Sequence, residues 1–200
     1  MYYDRNGIVW RHGNPIMLQI DLSEFPVLTT ARLVLREVRV EDAADLFVLR
    51  SDPRVMEHLG RPRATSLQDA HDLIARIIHD RNENDGITWA IALKGNDRMI
   101  GTIGFYRLLK VHFRAEVGYL LHPDHWRKGI MGEALDAAVA CGFDRLKFHS
   151  IEAVTDPANT ASNALLAKHG FIREGLFREN YFWNGRFYDS AVWSRLALSQ

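Results

Sequence analysis

A single cysteine, Cys141, stands in the 200-residue chain, which excludes an internal disulfide and any multi-cysteine zinc knuckle. Such sparing use fits a reducing compartment. Neither sign of charge is in excess, 25 Lys and Arg facing 25 Asp and Glu. The broad positive field of a nucleic-acid groove is therefore missing. No run approaches roughly 18 uncharged apolar residues, so no bilayer span and no membrane partner are expected. Met1-Tyr2-Tyr3-Asp4-Arg5-Asn6 lacks the basic start and apolar run of a secretory leader, and the expected location is the cytoplasm. Gly-x-Gly-x-x-Gly and Gly-Lys-Ser/Thr are both absent, which disfavours dinucleotide-binding and P-loop folds. There is no His-Glu-x-x-His. His122 and His125, three apart in a loop, do not make a metal site on their own, and no metal is expected.

What is present is an ordinary globular balance, 47% apolar and 25% charged. A chain of this length buries roughly 70% of its extended surface and needs no staples. Residues 1–28 read as an N-terminal extension, packed on the body or reaching for a partner. In it, Ile8 to Trp10 and Met17 to Leu22 are expected as short strands around a Gly13-Asn14-Pro15 turn. Residues 29–200 read as one α/β (α+β) domain. Arg32 to Arg36 alternates as a strand. Ala43 to Leu49 follows as a helix ended by Ser51-Asp52-Pro53. Ser66 and Asp69 pattern as a capping box ahead of a helix bearing Leu67, Ala70, Leu73, Ile74 and Ile77. Ile87 to Leu93, Met99 to Tyr106 and Ala115 to Leu121 form an antiparallel meander. A helix from Gly129 to Gly142, a strand from Ser150 to Val154 and a helix from Asn159 to Lys168 come next, with Gly170 as a left-handed stop. Phe171-Ile172 and Ser190 to Leu196 complete the sheet.

The turn from Val117-Gly118-Tyr119-Leu120-Leu121 through Trp126-Arg127-Lys128-Gly129-Ile130-Met131-Gly132 carries the chemistry. A strand ends and a helix starts on glycines. Helix starts present unpaired N–H groups and a positive dipole end, and glycine lets a phosphate approach them.

This stretch resembles the acetyl-CoA motif of the GNAT N-acetyltransferases, Gln/Arg-x-x-Gly-x-Gly/Ala, and specifically the branch of RimJ and RimL. Trp126 stands where Gln or Arg is usual, and Met131 takes the Gly/Ala position. Three more segments carry the resemblance in order: Thr30 to Arg36 with Asp42-Ala43, the block Asn159-x-x-Ser162-x-x-Leu165-Leu166-x-Lys168-x-Gly170-Phe171, and Glu174-Gly175 through Gly185 to Asp189. Coverage is about residues 30–196.

The resemblance implies a mixed sheet splayed at the cofactor strands, with acetyl-CoA as cosubstrate. Val117, Gly118, Tyr119, Leu120 and Leu121 would pair their backbone with the pantetheine arm. Gly118 serves either that close approach or packing within the sheet. Arg127, Lys128, Gly129, Ile130, Met131 and Gly132 would hold the diphosphate, the first two adding charge or merely facing solvent. Glu116 is the expected base, through water; its other reading is a strand carboxylate paired to Arg114 or Arg107. Ser162 is expected to assist the leaving thiolate, with Asn159 capping its helix and touching the arm. Tyr119 shares in stabilising developing charge, mainly by its backbone N–H. No covalent acyl-enzyme is expected, because Cys141 sits inside a helix with no histidine partner.

The acceptor is a primary amine that must be neutral to attack. At pH 7 this costs about 1.4 kcal/mol for an α-amino group and about 4.6 for lysine. The branch resemblance implies a protein N-terminus, as in ribosomal-protein acetylation. A small amine such as a polyamine or antibiotic, and an inactive acyl-CoA-binding sensor, are the alternatives. The candidate acceptor-lining elements are Met56 to Leu59, Phe105-Tyr106 and Tyr181-Phe182-Trp183, and the aromatics of the last equally pack the core or make a homo-oligomer surface.

Overall fold

The computed structural model describes residues 17–197 throughout and, before them, only the strands β1 (Tyr2–Tyr3), β2 (Val9–Arg11) and β3 (Asn14–Pro15). These three pair antiparallel in a small sheet of their own. Ile8 and Gly13 lie outside the described residues. Asn14–Pro15 is strand rather than turn. Met17 to Leu22, expected as a strand, pairs with none: Leu18 N donates to Lys110 O at 2.9 Å, and Leu18 and Leu22 drop into the core. Its apolar alternation serves burial without a ladder.

The main sheet has eight strands in the order β10-β11-β9-β8-β7-β6-β5-β4. They are β4 (Leu28–Thr29), β5 (Leu33–Glu37), β6 (Ile87–Leu93), β7 (Asn96–Leu109), β8 (Arg114–Leu121), β9 (Ser150–Thr155), β10 (Ile172–Trp183) and β11 (Arg186–Leu196). β4 belongs to this sheet, so a boundary after residue 28 falls inside a strand. Every pairing is antiparallel except β8 with β9. That parallel pair requires a crossover, which α4 (Ile130–Asp144) supplies.

α4 packs on one face, burying Ile130, Met131, Ala134, Leu135, Ala138 and Val139 with Leu166 of α5 (Thr160–Lys168). Through this core runs an edge-to-face series, Phe25–Trp89–Phe105–Phe148, with centroids 6.1, 5.9 and 5.1 Å apart. α1 (Ala43–Ser51) and α3 (Leu67–Asn82) cover the other face in a second core with Val38, Ala90 and Met99. The capping box at α3 forms, Ser66 Oγ accepting from Asp69 N at 3.3 Å. α1 stops at Ser51, as the Ser51-Asp52-Pro53 turn implies, and Asp52, extended at its C-cap, also caps α2 (Pro53–Met56).

Candidate active site

β8 pairs with β9 only at Arg114, Ala115 and Glu116, against Ser150, Ile151 and Glu152. Beyond Glu116 the strands part. β9 continues along β11 to Thr155, while Val117 to Leu121 keep β7 alone. A wedge with a free strand edge results. An extended chain can fill such an edge like an added strand.

At the end of β8, six consecutive backbone amides, Arg127 to Gly132, meet no acceptor among the described residues. The first bond into α4 runs from Glu133 N to Gly129 O at 3.1 Å. The backbone turns left-handed at Arg127 (φ 58°) and again at Gly129 (φ 72°). Such turns point successive N–H groups into one anion-sized concavity, here at the positive end of a 15-residue helix. Glycine adopts this conformation freely, whereas Arg127 does so at about 1 kcal/mol. Residues 127–132 thus fit a diphosphate, and the free edge of β8 fits the arm attached to it.

Side chains outside the motif hold this loop. Arg32 Nη1 donates to Lys128 O at 2.9 Å, and Arg32 N and Nε donate to Glu133 at 2.8 and 2.6 Å. Thr30 Oγ1 donates to the same carboxylate. Trp126 Nε1 donates to Leu121 O at 2.8 Å and ties the loop to the strand end. The departure at Trp126 therefore keeps a polar clasp in the loop.

Alternation along β8 sends neighbours to opposite faces. On the α4 and α5 side, Tyr119 Oη lies 2.7 Å from Ser162 Oγ. Asn159 Oδ1 accepts from Ser162 N at 3.0 Å, capping α5 and fixing Ser162 in its first turn. Burial pushes the Tyr119 phenol up to about 12, against the opposing effect of its bond to Ser162. Tyr119 therefore keeps its proton at neutral pH.

On the other side lies Glu116, opposite Tyr106 in the ladder. Glu116 Oε2 accepts from Arg107 Nη1 at 2.8 Å. Arg107 sits at φ 49° where the β7–β8 register slips, a bulge that swings its side chain back onto Glu116. Of the two pairings open to Glu116, Arg107 is the one made, while Arg114 pairs with Glu152. Burial, then the Glu116 charge, raises the Tyr106 phenol well above its ordinary value. A Cβ on Gly118 would stand 2.3 Å from Tyr106 Oη. The space spared at Gly118 belongs to that phenol.

A strap from His58 to Ala64 crosses this side. His58 Nδ1 is 2.8 Å from Asp156 Oδ2, Tyr181 Oη donates to Gly60 O, and Ala64 N donates to Arg50 O at 3.0 Å. Phe182 of the β10–β11 hairpin is 60% exposed, which removes it from the core. Sequence reasoning misses the roles of Arg32 and Glu133 in holding the loop, while Arg107 is one of the two partners it offered for Glu116. For Glu133 one signal exists, a carboxylate in the first turn of a helix.

No group of three or more His, Cys, Asp or Glu among the described residues is arranged for a metal ion. No helix there is long and apolar enough to cross a membrane.

Residues 32–172 match the family described as the acetyltransferase (GNAT) domain. The uncharacterized N-acetyltransferase YoaA of Bacillus subtilis is 39% identical over 170 residues, covering 85% of this chain and 96% of that one. The spermidine N(1)-acetyltransferase of Vibrio cholerae is 24% identical over 159 residues, 80% of this chain and 90% of that one. A solved RimL ribosomal L7/L12 alpha-N-protein acetyltransferase in complex with coenzyme A superposes with a TM-score of 0.79 at 21% identity, over 86% of this chain and 98% of that one. With its splayed sheet and unpaired loop amides, the chain belongs to the GNAT family and is an acetyl-CoA-dependent N-acetyltransferase.

Proposed function

We propose that the acceptor is the α-amino group of a protein N-terminus, as in the RimJ/RimL branch, and that Glu116, Ser162 and Asn159 serve the transfer. The supporting observation is that Glu116 and the Tyr119–Ser162 pair stand on opposite faces of β8 at the mouth of its wedge with β9. Bound along that wedge, acetyl-CoA supplies the thioester carbonyl that a neutral amine attacks. Arg127 to Gly132 hold the diphosphate by their amides, and Val117 to Leu121 hold the arm.

Glu116 receives the amine's proton through water as the carbon–nitrogen bond forms. The exposed Arg107 donates to this carboxylate at 2.8 Å and holds it in place beside the wedge. Ser162 gives a hydrogen bond to the departing thiolate, which takes its proton from water. Tyr119, still protonated, donates to Ser162 Oγ and so leaves the serine hydroxyl free to point at the thiolate. An α-amino group needs only a modest base, since its neutral form costs about 1.4 kcal/mol at pH 7.

The test is CoA release by wild type and Glu116→Gln across the pH range, with a free-N-terminal peptide, an N-blocked lysine peptide and spermidine. The expected result is fastest turnover of the free N-terminus and loss of the acidic limb in the variant. An unchanged alkaline rate and an unchanged acidic limb in Glu116→Gln would remove the carboxylate's role. Preference for the lysine peptide or spermidine would remove the N-terminal one.

A further inference from the structure

We infer that Tyr106 is a further catalytic residue, whose Oη accepts a hydrogen bond from the attacking nitrogen, so that primary amines are acetylated in preference to secondary ones. This goes beyond the reading above and rests on its placing of the amine beside Glu116.

Tyr106 and Glu116 lie directly opposite in the antiparallel ladder of β7 and β8, on the face turned away from α4 and α5. The ring does not stay at that level. A Cβ on Gly118 would meet Tyr106 Oη at 2.3 Å, Cε1 at 2.6 Å and Cζ at 2.9 Å. The phenol therefore leans diagonally across the ladder, and its oxygen ends over the β8 backbone at Gly118. Gly118 is the second residue beyond the last pair of β8 with β9, Glu116 with Glu152. Oη thus stands at the mouth of the wedge, on the face that carries Glu116. A side chain at position 118 would displace it.

Arg107 Nη1 takes Glu116 Oε2, so Oε1 is the oxygen open to the relay water. Tyr106 is half-buried. Its burial, and then the Glu116 charge, keep the phenol above its ordinary value, and it holds its proton through the working pH range. The O–H donates to the relay water, which leaves the oxygen lone pairs for an N–H. A neutral primary amine brings two N–H bonds. As its lone pair forms the carbon–nitrogen bond, one proton leaves through water to Glu116. The other N–H stays on the nitrogen and is the one Oη accepts, so Tyr106 neither gains nor loses a proton. The carbon–sulfur bond then breaks, and the thiolate takes a proton from water. Held in this way, the lone pair points at the thioester carbon. A secondary amine has one N–H, which the relay uses, and Oη then faces carbon.

The experiment measures kcat and KM for wild type and Tyr106→Phe with a free-N-terminal peptide and the same peptide methylated on its terminal nitrogen. Spermidine and spermidine methylated at both terminal nitrogens form a second pair. Phenylalanine keeps the ring over Gly118, and calorimetry with CoA checks that the wedge is intact. Wild type should favour the primary amine by at least about tenfold, and in Tyr106→Phe that ratio should fall about tenfold through a lower kcat for the primary amine. Affinity for CoA should change by less than about twofold. A ring that only packs would slow both members of a pair alike. A ratio that survives Tyr106→Phe, or equal use of both members by wild type, would therefore overturn the inference. Transfer to spermidine but to neither peptide would remove the N-terminal reading, while the ratio within the spermidine pair still decides Tyr106. No transfer to any of these amines would overturn both.

Discussion

Arg32 and Glu133, 101 positions apart, are joined twice, the Arg32 backbone N–H at 2.8 Å and its Nε at 2.6 Å donating to one carboxylate. Because the same guanidinium also holds Lys128 O, the start of β5, the 127–132 loop and the first turn of α4 form one unit. Arg32 bonds the Lys128 carbonyl rather than the loop amides proposed to hold the diphosphate, and so sets where they point. Arg32→Ala should weaken acetyl-CoA binding about tenfold, since a charged hydrogen bond is lost at a half-exposed site. Turnover at saturating acetyl-CoA should change by less than about twofold. Calorimetry with CoA and steady-state kinetics separate the two effects, and a loss confined to kcat would contradict this role.

The Glu133 carboxyl is also held below its ordinary value of 4.5: burial works to raise it, but the bonds from Thr30, the Arg32 backbone and the Arg32 side chain outweigh that. The native state therefore binds fewer protons here than the unfolded chain. The resulting stability is complete above 4.5 and is lost as pH falls through the lower native value. Urea midpoints measured through this acid window should drop more steeply for wild type than for Glu133→Gln. Parallel slopes would detach Glu133 from acid stability.

Gly118→Ala tests whose space the glycine spares. The new Cβ would stand 2.3 Å from Tyr106 Oη and 2.6 Å from its Cε1, contacts that force the ring to move. The expected loss is about 1–3 kcal/mol of unfolding free energy, read from denaturant melts. Combining it with Tyr106→Ser should recover most of that loss, because the obstructing ring is gone. If the double variant melts as low as the sum of the two single variants, the ring is not what the Cβ meets.

The parts of this protein readable from sequence are those whose causes are local. Ser66 and Asp69 cap α3 from three residues apart, Asn159 caps α5 the same way, and Ile87, Trp89 and Ile91 bury one side of β6 by simple alternation. Leu18, Ile20 and Leu22 alternate just as well but have no strand to pair with, so the same pattern misleads there. β7 runs past Tyr106 to Leu109 because the bulge at Arg107 lets pairing resume, and a bulge leaves no mark in composition. The wedge beyond Glu116 and the Arg32–Glu133 pair depend on which distant strands come together. The motif around Gly129 marks the loop, but what holds it lies far away in the chain.

Tyr119 and Ser162 should act as a unit. Their oxygens are 2.7 Å apart, and the phenol, pushed up to about 12, remains a donor across the working pH range. Ser162→Ala and Tyr119→Phe should each lower kcat, the serine change by more, while the double variant is hardly slower than Ser162→Ala alone. Because the native phenol holds its proton between the ordinary value of 10 and about 12, Tyr119 should add no alkaline limb below that range. Multiplicative losses in the double variant would mean that the two hydroxyl groups serve separate steps.

Cys141 supplies a check on direct transfer. Its thiol is buried in α4 at 6% exposure and pushed up by burial, a contribution larger than the opposing one from the Arg145 charge. A nucleophilic cysteine needs the opposite setting, an accessible thiolate with a lowered value. Native protein should therefore react with iodoacetamide at least about a hundredfold more slowly than the urea-unfolded chain, at a rate that follows opening of the helix. Cys141→Ala should keep transfer to the amine, and acetyl-CoA mixed with wild type in the absence of acceptor should leave no acetyl group on the chain by intact-mass measurement. An acetylated thiol appearing faster than turnover would replace direct attack with a two-step route, and Glu116 would then have to activate the second nucleophile rather than the first.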